Sequence, residues 1–228
     1  MRTILTTIIL SVTITTNYAG SINYRDKAIS LISFSVNISA ETKKIFEKFD
    51  SQFPATSNEK ADKFIARIKD LAWSSFIDTI QKNIGMVILP ISTLGSDVNY
   101  DLYGFPDVNI TKAQKKGTSK FFMKIDIQIS PETFQTLSIA KKEKSIQHIK
   151  LKDGETRPMV TITLTTFSNN GILPIGKYEG FSIAPNPWST DDASIFDGLV
   201  NDNNRNDLST FMSLINEAIK DLSKNIHS

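Results

Sequence analysis

The side chains whose spacing best suggests binding chemistry lie in one stretch, SDVNYDLYGFPDV, at positions 96–108. Its first polar residues alternate as oxygen ligands do at the start of an EF-hand calcium loop: Asp97, Asn99 and Asp101. An EF-hand then needs glycine at its sixth position and glutamate at its twelfth, where this chain has Leu102 and Val108. A turn-rich loop with Asx-type hydrogen bonds explains the acidic residues without a metal. The run NDNNRND at 201–207 lacks the same two residues and predicts a polar loop before a helix N-cap.

The loop at 96–108 is also rich in aromatic side chains, and two interpretations of them stay open. They form either a contact surface for a glycan or a protein partner, or an apolar plug that anchors the loop. On the first interpretation the carboxylates of the loop complete the surface. The candidate contact residues are then Asp97, Tyr100, Asp101, Tyr103, Phe105 and Asp107.

No other pattern in the chain predicts catalysis. Of the two histidines, His148 and His227, neither has a nucleophile-elbow sequence near it. There is no glycine-rich phosphate loop and no HExxH motif. The absence of cysteine excludes a cysteine nucleophile, a zinc–thiolate site and an iron–sulfur cluster. We therefore expect no catalytic, cofactor-binding or metal-binding residue and no cofactor, although an Asp/Glu pair of the glycosidase type stays open.

The charge of the chain argues against nucleic acid as its main partner. The formal net charge is +2, and the first 19 residues contain one arginine and no acid, which leaves +1 without them. A local basic cluster consists of Lys112, Lys115, Lys116 and Lys120. We interpret it as a solvated helix turn, with an anionic envelope polymer or a lipid surface as the alternative.

The first residues predict export. Arg2 precedes an apolar run at 4–16, no acidic residue occurs before Ala19, and Ala19 offers a small residue for cleavage. This pattern is typical of a secretory signal peptide at 1–19, and it is too short to span a bilayer. Without cysteine the chain has no site for an N-terminal lipid anchor. We expect a soluble, unanchored protein in the periplasm or outside the cell, with no transmembrane span and one α/β domain over 20–228.

This domain is organised around a helix predicted at 58–84, capped by Ser57 or Asn58 and ended by Gly85. Its apolar stripe consists of Phe64, Ile65, Ile68, Leu71, Ala72, Phe76 and Ile80, with Lys69 on the charged face. The apolar run at 86–89 predicts a central strand that is buried on both faces and closed by Pro90.

Alternating apolar and polar residues predict the other strands at 28–38, 119–130 and 160–164, with Ile32, Phe34 and Val36 on one face of the first. A hairpin at 169–171 leads to a return strand at 172–183, which its proline and glycine mark as an edge strand with a bulge. Helices are predicted at 40–53, after Asp191, and at 208–226. The fold class is therefore α/β (α+β), with a mixed, largely antiparallel sheet of about five strands and one βαβ crossover. A long central helix and a C-terminal helix cover the sheet.

This layout, with its buried strand ending at Leu89 and Pro90, resembles the periplasmic α/β domains of bacterial envelope accessory proteins. Such domains occur in the curli-secretion channel subunit, the penicillin-binding-protein activator lipoproteins and the N-terminal part of TolB. The resemblance covers roughly 28–226 and rests on the order of the elements, so it assigns no functional residue. The chain departs from many of these proteins because it has no lipid-anchor cysteine.

The resemblance implies an exported, non-enzymatic accessory or binding protein of a bacterial cell envelope. Its partner would be an envelope protein or a glycan, not nucleic acid. Two alternatives stay open, a secreted hydrolase that uses an Asp/Glu pair and a calcium-dependent binding module.

Overall fold

A computed structural model describes residues 22–132 and 149–226. The predicted signal peptide at 1–19, the two histidines and most of the weakly patterned stretch after position 133 lie outside these residues. The elements are β1 (Ala28–Ile38), α1 (Ala40–Lys48), α2 (Lys63–Ile84), β2 (Val87–Ile88), α3 (Ile110–Lys116), β3 (Phe121–Pro131), β4 (Glu155–Thr156), β5 (Pro158–Ser168), β6 (Pro174–Ile183), β7 (Trp188–Ser189) and α4 (Phe211–Ile226). None of the described helices is long and apolar enough to cross a bilayer.

The main sheet has five strands in the order β2-β1-β3-β5-β6, and β4 and β7 form a separate pair. β1 is parallel to both of its neighbours, β2 and β3, whereas β5 is antiparallel to β3 and to β6. The chain passes from β1 through α1 and α2 to β2, which is the predicted βαβ crossover. The predicted fold class, a mixed α/β sheet of about five strands covered by a long helix and a C-terminal helix, is confirmed.

The prediction of a central strand at 86–89 is wrong. β2 has two residues and lies at the edge of the sheet, beside β1 alone. Met86 and Ile88 belong to the main core, but the side chain of Val87 is 45% exposed. An apolar run indicates which residues are buried, but it does not indicate how many strands pair with it. It therefore does not distinguish an edge strand from a central one.

α2 begins later than predicted. The Asn58 side chain accepts a hydrogen bond from the Lys60 backbone N–H at 3.0 Å, so it stabilises a turn instead of capping the helix. Asp62 occupies the N-cap position, and Gly85, with φ of 73°, ends the helix as predicted. The helix therefore has 22 residues, and at 1.5 Å per residue it is about 33 Å long.

One face of the sheet carries the main hydrophobic core. The buried stripe of α2 consists of Phe64, Ile68, Ala72, Phe76, Ile80 and Ile84. α2 and α4 pack against each other, and Ser75 on α2 donates a hydrogen bond to Asn216 on α4 at 2.7 Å. The alternation predicted for β3 is confirmed, because Met123, Ile125 and Ile127 all enter this core.

A smaller cluster covers part of the opposite face. It consists of Ile32, Leu94, Val98, Val108, Ala113 and Phe122. The prediction that Ile32 shares a face with Phe34 is wrong, because the pairing of β1 with β3 shifts register between Leu31 and Ser33. A bulge adds one residue to a strand and turns the side chains on either side of it to opposite faces.

The C-terminal part contains two smaller differences from the predictions. The segment after Asp191 forms a 3-10 turn at Ala193–Phe196, with Asp192 as its cap, and not a helix. α4 begins at Phe211 instead of 208, because Leu208 adopts a left-handed backbone with φ of 59°.

α4 also protects the free edge of β6. Asp221 accepts a hydrogen bond from the Phe181 backbone N–H at 3.2 Å, and Asn225 donates one to the Glu179 carbonyl at 2.7 Å. Helix and strand approach so closely that a Cβ on Gly180 would lie 2.3 Å from the Ala218 carbonyl oxygen. The side chains of the helix thus occupy backbone groups that would otherwise pair with another chain.

Candidate functional site

The loop singled out by the sequence is a small hairpin beside the part of β1 that the short strand β2 does not cover. The Asp101 N–H donates to the Phe105 carbonyl at 2.8 Å, and the Asp107 N–H donates to the Asn99 carbonyl at 2.9 Å. The Val108 N–H donates to the Ile32 carbonyl at 3.0 Å, which attaches the loop to β1. The tip of the hairpin therefore has a defined position relative to the sheet.

Asp101 organises this tip from within. Its Oδ1 atom accepts hydrogen bonds from the backbone N–H groups of Tyr103, at 2.9 Å, and Phe105, at 3.0 Å. Its Oδ2 atom accepts from the Nζ of Lys69 on α2. One carboxylate thus closes the Asx-type turn that the sequence predicts and also fastens the loop to the long helix.

Lys69 lies in an aromatic cage, with 3% of its side chain exposed. Its Nζ is 4.9 Å from the ring centroid of Tyr103, 5.1 Å from that of Phe105 and 5.5 Å from that of Phe34. Aromatic faces attract a cation, and together with the Asp101 carboxylate they replace the water that a buried ammonium loses. The prediction that Lys69 faces solvent is wrong.

The structure separates the six predicted contact residues into two groups. Asp101, Tyr103 and Phe105 meet around Lys69, and Phe105 is only 4% exposed, so its ring is the plug of the second interpretation. The other three lie outside this cage: Tyr100 donates through its hydroxyl to the Gly95 carbonyl, Asp97 pairs with Lys116, and Asp107 is exposed.

A cleft of about 570 Å³ lies beside the hairpin tip. Residues 102–104 form one wall, the first turns of α2 form the other, and residues 54–58 complete the lining. Leu102 on the wall is 52% exposed. The cleft thus combines an aliphatic side chain and an aromatic ring with polar groups, as ligand sites do.

The polar groups of the cleft are held in place. Arg67 donates from Nε to the Leu199 carbonyl at 2.9 Å, and Lys63 pairs with Asp50 at 2.8 Å. Burial raises the pKa of the Tyr103 phenol, and the negative charge of Asp62 raises it further. Like an ordinary tyrosine, Tyr103 is protonated at neutral pH, and its hydroxyl is able to donate a hydrogen bond.

Carboxylates in and beside the two calcium-like sequences bind other groups of the protein. Asp97 and Asp101 pair with lysines, as described above. Beside the second stretch, Asp197 pairs with Arg205 at 2.7 Å and accepts hydrogen bonds from the side-chain amides of Asn201 and Asn203. Within that stretch, Asp207 accepts hydrogen bonds from the backbone N–H and the hydroxyl of Ser209. Within 22–132 and 149–226, no three His, Asp or Glu side chains converge as metal ligands.

The cleft contains one carboxylate, Asp70, in its lining. Glycoside hydrolysis of the common type needs two carboxyl groups across one site. This cleft therefore does not supply the Asp/Glu pair of the hydrolase alternative.

Lys69 is the important residue that the sequence interpretation placed wrongly. A signal for it exists in the spacing, because Lys69 lies four residues after Ile65 and three before Ala72, on the edge of the apolar stripe. A lysine in that position buries its stem easily, but the sequence does not show that its charged end also finds a partner inside.

No protein-family model matches the chain, and no curated protein sequence matches it significantly. Among solved structures it is similar to a hypothetical protein from Chlamydia trachomatis, with 10% identity over 88% of this chain and 97% of that one, at a TM-score of 0.38. It is also similar to the PelC dodecamer subunit of Paraburkholderia phytofirmans, with 10% identity over 89% and 93% of the two chains, at a TM-score of 0.33. A third similarity is to a lipoprotein from Neisseria meningitidis, with 8% identity over 76% and 92%, at a TM-score of 0.34. At these scores the similarities carry no argument about function.

Proposed function

We propose that the protein is an exported, non-enzymatic binding or accessory protein of a bacterial cell envelope, and that the cleft beside the 99–107 hairpin contacts a partner protein. The observation that carries the proposal is Leu102, a large apolar side chain that is 52% exposed at the tip of a firmly held loop.

The exposed Leu102 side chain is suited to binding because the loop that carries it is held in place. The hairpin is tied to β1 by its backbone and to α2 by the Lys69–Asp101 ion pair. A contact surface that is already ordered loses little conformational entropy when a partner binds. A partner that packs against Leu102 would also contact Tyr103 and Arg67 in the cleft, and tyrosine and arginine are among the residue types that contribute most to protein contacts.

Export is the second part of the proposal, and it rests on the apolar run before Ala19. Its test is the mass of the protein recovered from the exported fraction of its native host. We expect a mature chain that lacks residues 1–19. A chain that keeps these residues and stays in the cytoplasm contradicts this part without affecting the cleft.

The contact is tested by placing a photo-crosslinking amino acid at position 102 in native cells. We expect discrete crosslinked products whose yield falls when Tyr103→Ala and Arg67→Ala change the cleft. The matched control carries the crosslinker at Lys44, an exposed residue on α1. Identical products from both positions contradict a specific contact, and binding of a glycan panel that depends on Tyr103 identifies the partner as a sugar chain instead.

A further inference from the structure

The exposed apolar side chains of the described residues are not scattered. Four large ones are exposed, and three of them lie at the same end of the sheet: Val87 (45%), Ile172 (62%) and Leu173 (76%). The register places them there, because Val87 pairs with Ala28 at the start of β1, and Ser168 before the hairpin pairs with Phe121 at the start of β3. We call this end of the sheet, with the 169–173 hairpin, the rim.

The hairpin that carries Ile172 and Leu173 is anchored to its neighbours. Gln114 on α3 donates from Nε2 to the carbonyls of Ser168, at 3.0 Å, and Gly171, at 2.8 Å. The Asn169 N–H donates to the Lys120 carbonyl at 3.0 Å. The two aliphatic side chains therefore project from an ordered tip.

Cationic side chains lie beside this tip. A cleft of about 710 Å³ at the rim is lined by Lys27, Lys120, Gln114 and Asn169, with Asp26 as its one carboxylate. Both lysines are exposed, and neither forms an ion pair with any described residue. α3 adds Lys115, which is also exposed, next to the glutamine that holds the hairpin.

We infer that the rim is a docking surface for an anionic lipid bilayer. Exposed aliphatic side chains enter the boundary between headgroups and acyl chains, and lysines beside them attract the phosphates of anionic lipids. The rim presents both features on an ordered surface. A soluble polyanion would bind only the lysines and leave Ile172 and Leu173 in water. A bilayer explains both the exposed lysines and the exposed aliphatic side chains of the rim.

This orientation leaves the partner cleft free. α2 begins at the cleft with Lys63 and ends at Gly85, beside the rim. Its length of about 33 Å separates the two surfaces, so a protein docked through its rim would present the Leu102 cleft away from the membrane.

The test is sedimentation of the protein with vesicles of phosphatidylcholine alone or mixed in equal parts with phosphatidylglycerol. It uses the chain as isolated from cells, with its N-terminus determined by mass spectrometry. We expect binding to the mixed vesicles that weakens with salt, and much weaker binding to phosphatidylcholine alone. Each lysine near an anionic surface adds roughly fivefold to binding, so Lys27→Ser with Lys120→Ser should weaken it on the order of 20-fold.

The apolar part is tested by Ile172→Ser with Leu173→Ser, which should weaken binding by about tenfold or more. Two controls match these variants. Leu102→Ser removes the exposed aliphatic residue that lies away from the rim, and Lys44→Ser with Lys60→Ser removes two exposed lysines elsewhere. Both should bind vesicles as the unchanged protein does.

Three results would overturn the inference. The first is equal binding of the unchanged protein to both kinds of vesicle, or to neither. The second is undiminished vesicle binding by the Ile172 and Leu173 variant. The third is capture by free polyphosphate without vesicle binding, which would assign the lysines to a soluble polyanion. Circular dichroism melting confirms that each variant is folded, as the exposure of the changed side chains leads us to expect.

Discussion

Lys69 on α2 and Asp101 in the 99–107 hairpin form an ion pair whose side chains are 3% and 23% exposed. Thirty-two positions separate the two residues in the chain. The pair connects the long helix, the first strand and the candidate contact loop, because three aromatic rings from the strand and the loop surround the ammonium group.

The first prediction concerns this pair. Lys69→Ala leaves the Asp101 carboxylate partly buried without its cation and opens a gap between three rings. We expect the free energy of unfolding to fall by about 2–4 kcal/mol, measured by urea denaturation. Lys69→Met with Asp101→Asn should recover part of this loss, since it removes both charges and keeps the stem.

Lys60→Ala is the control for the change of residue type, because Lys60 is exposed and its substitution should change the free energy of unfolding by less than about 0.5 kcal/mol. Equal stabilities for Lys69→Ala and Lys60→Ala would show that the caged ion pair does not hold the loop.

The second prediction concerns the contact of α4 with β6. A Cβ at Gly180 would lie 2.3 Å from the Ala218 carbonyl oxygen and 2.3 Å from the Leu222 backbone nitrogen. Because backbone atoms cannot move aside, Gly180→Ala should lower the free energy of unfolding by about 2–3 kcal/mol. Gly171→Ala is the matched control, since nothing lies within 4 Å of its added methyl group. A loss of equal size in both variants would contradict the close packing of helix and strand.

The third prediction concerns high pH. The pKa of the Tyr24 phenol is raised, mainly by burial and also by Tyr178, although the Thr166 hydroxyl at 2.6 Å opposes the shift. A folded pKa above the unfolded value of about 10 means that this group's stabilising effect is complete below pH 10. It is lost as the pH rises further, because the unfolded chain then releases the proton first.

Urea denaturation at increasing pH above 10, compared between the unchanged protein and Tyr24→Phe, measures this effect. At neutral pH the free energy of unfolding of the variant should be about 1 kcal/mol lower, because the variant lacks the hydrogen bond of the Tyr24 hydroxyl. Above pH 10 its free energy of unfolding should decline less steeply with pH than that of the unchanged protein. Parallel declines would assign the pH dependence to other groups.

The fourth prediction concerns calcium. Asp97 and Asp101 of the first calcium-like sequence pair with Lys116 and Lys69. Asp197, beside the second one, pairs with Arg205. A calcium ion would have to displace these cations, so millimolar calcium should leave the melting temperature unchanged. A rise in melting temperature that EDTA reverses would restore the calcium-dependent module as an explanation.

The sequence predicts the strands better than it predicts the start of the long helix. β1 at Ala28–Ile38 has the predicted bounds, and the apolar side of β3 enters the core as its alternation predicts. These predictions depend on contacts within one segment, since neighbouring side chains of a strand point to opposite faces. The start of α2 was predicted five residues too early, because Asn58 stabilises a turn with Lys60, and a sequence that suits a cap also suits such a turn.

For the candidate site, the residue types were predictable and their roles were not. The sequence alone identified the Asp97–Asp107 stretch and the possibility that its rings anchor the loop. It did not reveal that Phe105 is the plug while Leu102 is exposed, since both are large apolar residues in one short loop.

The amino-acid sequence by itself determined the fold class, the inward face of β3 and the position of the β5–β6 hairpin, because these follow from local periodicity and turn chemistry. Only the tertiary structure decided that β2 is an edge strand, that Lys69 is buried and that Val87, Ile172 and Leu173 share one rim. Strand order and the burial of a charge depend on partners distant in the chain, and no local pattern specifies which partners meet.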